Sequence, residues 1–195
     1  MPKYPISTIL YLAKLSIKDK IQDALKLTNN VDAYITIELK DKNGNIIKRH
    51  KQHSHSFVAQ FLSGLQSIAN STALVTTSYW NASQGIQIGT GTGTPEPTDT
   101  ALFNLIANGT GAGQMVYPSS ITVSSVVING KTSSFTIQST ITNNSGSPIT
   151  VTEVGINGSY NYPLGGLQTH DLLSSPITVP NGTAITITYT ISVTT

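Results

Sequence analysis

The chain has 195 residues, of which 10% are charged, and a formal net charge of +2. Ten of its eleven Lys and Arg residues lie within residues 1–51, whereas residues 52–195 hold one base and four acids. This second region is mostly Ser, Thr, Asn and Gly alternating with Val and Ile, so it offers few groups for a catalytic pocket. The absence of cysteine excludes disulfides and thiolate metal sites. The composition favours a structural protein over an enzyme.

Residues 1–30 are predicted to form a helical arm. Apolar residues recur there at steps of three and four, as on one face of an amphipathic helix over 6–28: Ile6, Ile9, Leu10, Ala13, Ile17, Ile21, Ala24 and Leu25. Such a helix can pack on its own domain or dock on a neighbouring subunit, and the pattern leaves both possibilities open. The apolar run before Lys14 is too short to span a membrane and lacks a convincing signal-peptide cleavage site.

Residues 31–195 are predicted to form one mainly β domain that begins with a hairpin. Residues 33–39 alternate as a strand, 41–45 have turn chemistry and 46–49 form the return strand. A helix is predicted at 55–69 and a polar, aromatic loop at 70–84. A short strand follows at 85–89, and then Thr98 or Asp99 is expected to cap a short helix over 99–107.

From residue 115 the pattern indicates strands alone. Strands are predicted around 121–123, 126–128, 132–142 and 149–156, with turns at Asn129-Gly130 and 143–148, and the clearest strand at 184–193. The apolar parity changes at Thr152 and Glu153 without a loop, which predicts a β-bulge. Several strands at this spacing favour an antiparallel β-sandwich of the jelly-roll or Ig-like kind.

Residues on and beside this bulge have predicted roles in packing. Glu153 is expected to bond backbone amides or a neighbouring subunit. Gly155 is expected to let another strand approach closely, because it has no Cβ.

The sequence lacks residues that phosphate-loop binding of nucleotides and triad hydrolysis require. The run Gly89-Thr90-Gly91-Thr92-Gly93 lacks the Lys that a P-loop uses to reach phosphates, and no Lys occurs between residues 52 and 130. His170-Asp171 has no nucleophile elbow with which to complete a triad. The sequence therefore predicts no catalytic residue and no cofactor.

The histidines His50, His53 and His55 lie beside Lys48, Arg49 and Lys51. His53 and His55 would share a face of an extended segment and could make half a metal site, but no nearby acid completes it. A solvated basic strand end is favoured, and no metal-binding residue is predicted. Phosphate contacts from the stretch Lys40 to Lys51 are the alternative to a solvated hairpin face. Direct nucleic-acid contact is not favoured, because aromatic interleaving is missing.

Three stretches carry a resemblance to a known group. They are 88–95 leading to 99–102, then 140–156, and finally 179–183 before the last strand. This succession resembles structural proteins of tailed phages and of archaeal viruses from hot environments. The resemblance implies a self-assembling β-sandwich and brings no catalytic residues with it.

The leading hypothesis is a non-enzymatic virion structural protein, as a tail, neck or capsid decoration or turret component. Its expected partners are copies of itself and other virion proteins, and its expected location is the virion, after synthesis in the host cytoplasm. One alternative is a fibre module that binds a host receptor or glycan through loop aromatics: Tyr79, Trp80, Tyr160 and Tyr162. A third candidate is a surface-layer or pilus subunit.

Overall fold

A computed structural model describes residues 30–54, 57–59, 61, 85–158 and 166–194. The predicted arm and almost all of the predicted helix at 55–69 lie outside these residues. The strands are β1 Asn30–Lys40, β2 Ile46–His53, β3 Ile86–Gly89, β4 Thr122–Val123, β5 Val127–Asn129, β6 Thr132–Thr142, β7 Ile149–Gly158, β8 Gly166–Leu167, β9 Asp171–Val179 and β10 Ala184–Thr194. Two antiparallel sheets result, which confirms the predicted mainly β architecture.

The first sheet has six strands in the order β2-β1-β10-β6-β4, with β5 also beside β6. Its hairpin closes because the Asp41 carboxylate accepts hydrogen bonds from the backbone N–H groups of Asn43 and Asn45, and Gly44 takes a positive φ of 84°. The strand predicted most clearly, β10, lies between β1 and β6 over its full length. Its residues Ile187 and Tyr189 are fully buried, as strict alternation requires.

The second sheet has four strands, with β7 between β3 on one side and β8 and β9 on the other. The predicted bulge is confirmed, because the register with β9 shifts between Val151 and Glu153. Val151 and Val154 therefore both face the core, while Glu153 points to the opposite face. Gly155 allows the backbone at Thr169 to approach β7 closely, since a Cβ on residue 155 would collide with the Thr169 carbonyl oxygen.

The inner faces of both sheets share one hydrophobic core. The first sheet contributes Ile35, Ile37, Ile137, Ile185 and Tyr189, and the second contributes Ile88, Val151, Val154, Ile156 and Ile177, among others. Gln52 on β2 joins the sheets at one side. Its amide donates to the Leu172 carbonyl oxygen at 2.8 Å and accepts from the Ser174 N–H at 2.9 Å, which completes the edge of β9 with a side chain.

The prediction of a short helix at 99–107 is wrong. This segment runs irregularly beside β3, where Thr90 N–H donates to the Asn104 carbonyl and Ile106 N–H donates to the Ile88 carbonyl. The Phe103 and Asn104 N–H groups bond the Glu153 carboxylate instead of carbonyls four residues back. Long-range partners thus replace the helical hydrogen bonds, and the segment covers an edge of the second sheet.

Candidate functional site

The most concentrated polar chemistry in the described chain surrounds Glu153, which is fully buried. One carboxylate oxygen, Oε1, accepts the Gly91 N–H at 2.9 Å and the Asn104 N–H at 2.8 Å. The other, Oε2, accepts the Phe103 N–H at 3.0 Å and lies 2.8 Å from His170 Nε2. Four donors therefore surround the two oxygens and match their lone pairs. The prediction that Glu153 bonds backbone amides is confirmed.

His170 lies between two carboxylates and is also fully buried. Its Nδ1 is 2.6 Å from Asp99 Oδ2 and its Nε2 is 2.8 Å from Glu153 Oε2. Both ring nitrogens therefore face carboxylate oxygens, so the site offers an acceptor to an N–H on either nitrogen. The ring also packs on Phe103, with centroids 4.5 Å apart. This arrangement ties three distant parts of the chain together in the protein interior.

Close packing on the same carboxylate and on Phe103 explains the alternating glycines at residues 89, 91 and 93. A Cβ on Gly91 would lie 2.5 Å from Glu153 Oε1 and 2.5 Å from the Phe103 Cβ, and one on Gly89 would collide with Glu153 Oε1. A Cβ on Gly93 would lie 2.8 Å from the Phe103 ring. The Gly-Thr run therefore serves close packing over a buried acid.

A second buried polar group centres on Asp171. Its Oδ2 accepts the Ser54 hydroxyl at 2.7 Å and the Tyr189 hydroxyl at 3.1 Å. Burial, and next the negative charge of Asp171, raise the pKa of Tyr189 well above its ordinary value. Although Ser54 and Asp171 bond each other, both nitrogens of His170 are directed to Asp99 and Glu153. The three residues thus do not have the relay order of a hydrolase triad.

The histidines of β2 point to different partners. His50 Nε2 lies 2.9 Å from Gln52 Oε1 and 3.3 Å from the Ser174 hydroxyl. His53 Nδ1 lies 3.3 Å from an Asp32 oxygen, so an acid does lie near this histidine, contrary to the expectation from sequence. His55 lies outside the described residues. No cluster of three or more His, Cys, Asp or Glu suited to a metal ion occurs within the described parts of the chain.

The basic stretch forms the outer edge strand of the first sheet and is partly neutralised. Arg49 donates to Glu38 Oε1 from Nε at 2.9 Å and from Nη2 at 2.6 Å. Lys40 lies 3.8 Å from the same carboxylate. Lys51 stands 4.7 Å above the Tyr34 ring, so the register supplies one aromatic partner that the linear sequence does not reveal. These contacts are those of a solvated edge strand.

The opposite edge of the first sheet is apolar. Strands β4 and β5 pair with β6 alone among the described strands, and the exposed large hydrophobic residues on and between them are Val123, Val126, Val127 and Ile128. We call these four residues the apolar edge. Val126 and Val127 are 65% and 60% exposed, whereas the basic edge carries charges that discourage strand addition. The sequence predicted strands here but not that they would end a sheet.

The loop aromatics of the receptor-binding alternative lie outside the described residues: Tyr79, Trp80, Tyr160 and Tyr162. Asn143 and Asn181 each begin an Asn-x-Ser/Thr sequence, the acceptor pattern for N-glycosylation. Asn143 is fully buried and donates to the carbonyls of Ser147 and Val179. Asn181 is exposed on a turn.

Comparison with protein-family models, with curated proteins and with solved structures found no match. In the part of the chain that the structure describes, no helix has both the length and the apolar character needed to cross a membrane.

Proposed function

We propose that this protein is a non-enzymatic structural subunit of a virion, built as an antiparallel β-sandwich that assembles with itself and with other virion proteins. The shared core of the two sheets supports the sandwich interpretation. The apolar edge is the observation that carries the assembly proposal, because an edge strand with exposed Val side chains, paired on one side among the described strands, is a template for another chain.

The internal chemistry supports the same proposal. The hydrogen-bonding capacity of Glu153 is taken up by the protein's own backbone and by His170, and neither residue is accessible to solvent. The outer face of the first sheet is a ladder of hydroxyls and amides that bond one another across strands, such as Thr140 with Thr186 and Gln138 with Thr188. Such a surface suits a packed subunit of low charge. We assign this protein to a tail, neck, or capsid decoration or turret position.

Assembly is tested by placing a charge on the edge strand. Val127→Lys should abolish oligomers seen by light scattering coupled to size exclusion, with an unchanged melting temperature, because the side chain is already exposed. Ile47→Lys is the matched control, since Ile47 is 56% exposed on the opposite edge, which is already basic. A wild-type chain that is monomeric at high concentration, with no assembly partner, would count against the proposal, as would equal loss in both variants.

The virion assignment has its own test. An antibody against the purified chain should label intact virus particles from the producing host, in electron micrographs, at regular positions. Absence of the chain from washed particles, by labelling and by mass spectrometry, would overturn this part of the proposal while leaving self-assembly intact.

A further inference from the structure

The inner face of the first sheet ends in a mostly apolar row that the described second sheet does not cover. Strand register aligns Val31, Val193, Ser133 and Ile128 across β1, β10, β6 and β5, and we call these four residues the terminal row. Val31 is 51% exposed and Ile128 is 74% exposed, whereas Ala33, one row further in, is 1% exposed. The cover supplied by the described second sheet therefore stops between these two rows.

The terminal row lies on the core side of its sheet. Residues directly opposite in an antiparallel pair share a face, and side chains alternate along each strand. Val31 and Val193 have the same parity as the buried residues Ile35 and Tyr189. The row is thus a continuation of the hydrophobic core, while Val127, which precedes Ile128 on β5, points to the other face.

The chain enters the sheet beside this row. Asn30 pairs with Thr194 at the first position of β1, one residue before Val31. The preceding residues are those of the apolar stripe predicted from the sequence, which ends with Ile17, Ile21, Ala24 and Leu25. So short a connection keeps the stripe at a high effective concentration near its own row.

The dimensions of the stripe and the row agree. Four strands about 4.8 Å apart span about 14 Å between β1 and β5. A helix rises about 1.5 Å per residue, so the eight steps from Leu25 back to Ile17 cover about 12 Å. We propose that residues 17–25 lie across the terminal row of their own chain as an amphipathic helix, with Leu25 near Val31 and Ile17 near Ile128, and complete the core at this end.

Disulfide trapping tests the proposal directly, because the natural chain has no cysteine. The full-length double variant Ile17→Cys with Ile128→Cys should form a disulfide within one chain on mild oxidation, since bridged Cα atoms lie within about 7 Å. The matched control pairs Ile17→Cys with Asn181→Cys. Asn181 is exposed at the opposite end of the sheet, beside the start of β10. The first pair should oxidise at least about tenfold faster.

A second cysteine pair is tested as well, in case the geometry at the first pair does not suit a disulfide. Ile21→Cys with Val193→Cys should also close within one chain, because Val193 lies one strand from Val31. Non-reducing gels and mass spectrometry of the linked peptides separate the outcomes. Covalent dimers as the main product of both pairs would show that the row takes the arm of a second copy, and oxidation no faster than in the control would show that the segment lies elsewhere. Either result overturns the proposal.

Discussion

Replacement of Glu153 by Gln tests whether the buried carboxylate holds the second sheet and the segment over 91–104 together. The substitution preserves shape but turns one acceptor oxygen into an NH₂ donor. In one orientation the new amide nitrogen faces the Gly91 and Asn104 N–H groups, and in the other it faces Phe103 N–H and His170. Two hydrogen bonds to a charged acceptor are lost in either case.

The magnitude follows from these contacts. A hydrogen bond to a charged group contributes about 1.5–3 kcal/mol, so two of them correspond to a loss of about 3–6 kcal/mol. If His170 Nε2 accepts from the new amide, the Phe103 N–H still has no acceptor. The loss then stays near the lower end of that range. Against a typical total stability of about 5–15 kcal/mol, this change is large.

Urea denaturation followed by far-ultraviolet circular dichroism measures the effect, with the free energy of unfolding obtained by linear extrapolation. Glu96→Gln is the matched control, because Glu96 is exposed and its substitution should cost less than about 0.5 kcal/mol. A Glu153→Gln protein within about 1 kcal/mol of wild type would refute the reasoning. It would mean that the four contacts to the carboxylate contribute little to the free energy of unfolding.

Three further predictions rest on packing and on one tyrosine. Burial raises the pKa of Tyr117 to about 12. The free energy of unfolding should therefore be unaffected by this residue below the ordinary tyrosine pKa of about 10 and should fall by about 2–3 kcal/mol as the pH rises from 10 to 12. In alkaline unfolding curves, Tyr117→Phe should reduce this pH dependence. Gly91→Ala should lower the melting temperature far more than Gly111→Ala, whose nearest neighbour is a flexible Gln side chain, and equal shifts would contradict the packing argument. Ile187→Asp should unfold the domain at a cost of several kcal/mol, whereas Thr188→Asp on the half-exposed face should be mild in the same melting experiment; similar losses would indicate that both faces are covered.

Much of the β architecture could be predicted from local pattern. Period-two alternation indicated β10 and β6 because each has one buried face, and Asn129-Gly130 indicated the turn between β5 and β6, where Gly130 has a φ of 58°. The parity change at Glu153 located the bulge, since one inserted residue reverses every side chain beyond it. These features depend on residues that are neighbours in sequence.

The tertiary structure decided what depends on distant partners. Apolar spacing and an apparent cap favoured a helix at 99–107, but the Glu153 carboxylate, some fifty residues later, takes its backbone N–H groups. The Asp99–His170–Glu153 arrangement joins three segments that share no sequence pattern. Which strand lies at a sheet edge is likewise set by pairing, so the apolar edge could not be foreseen. Local periodicity determines which residues form strands, whereas burial of a charge requires donors that folding alone brings together.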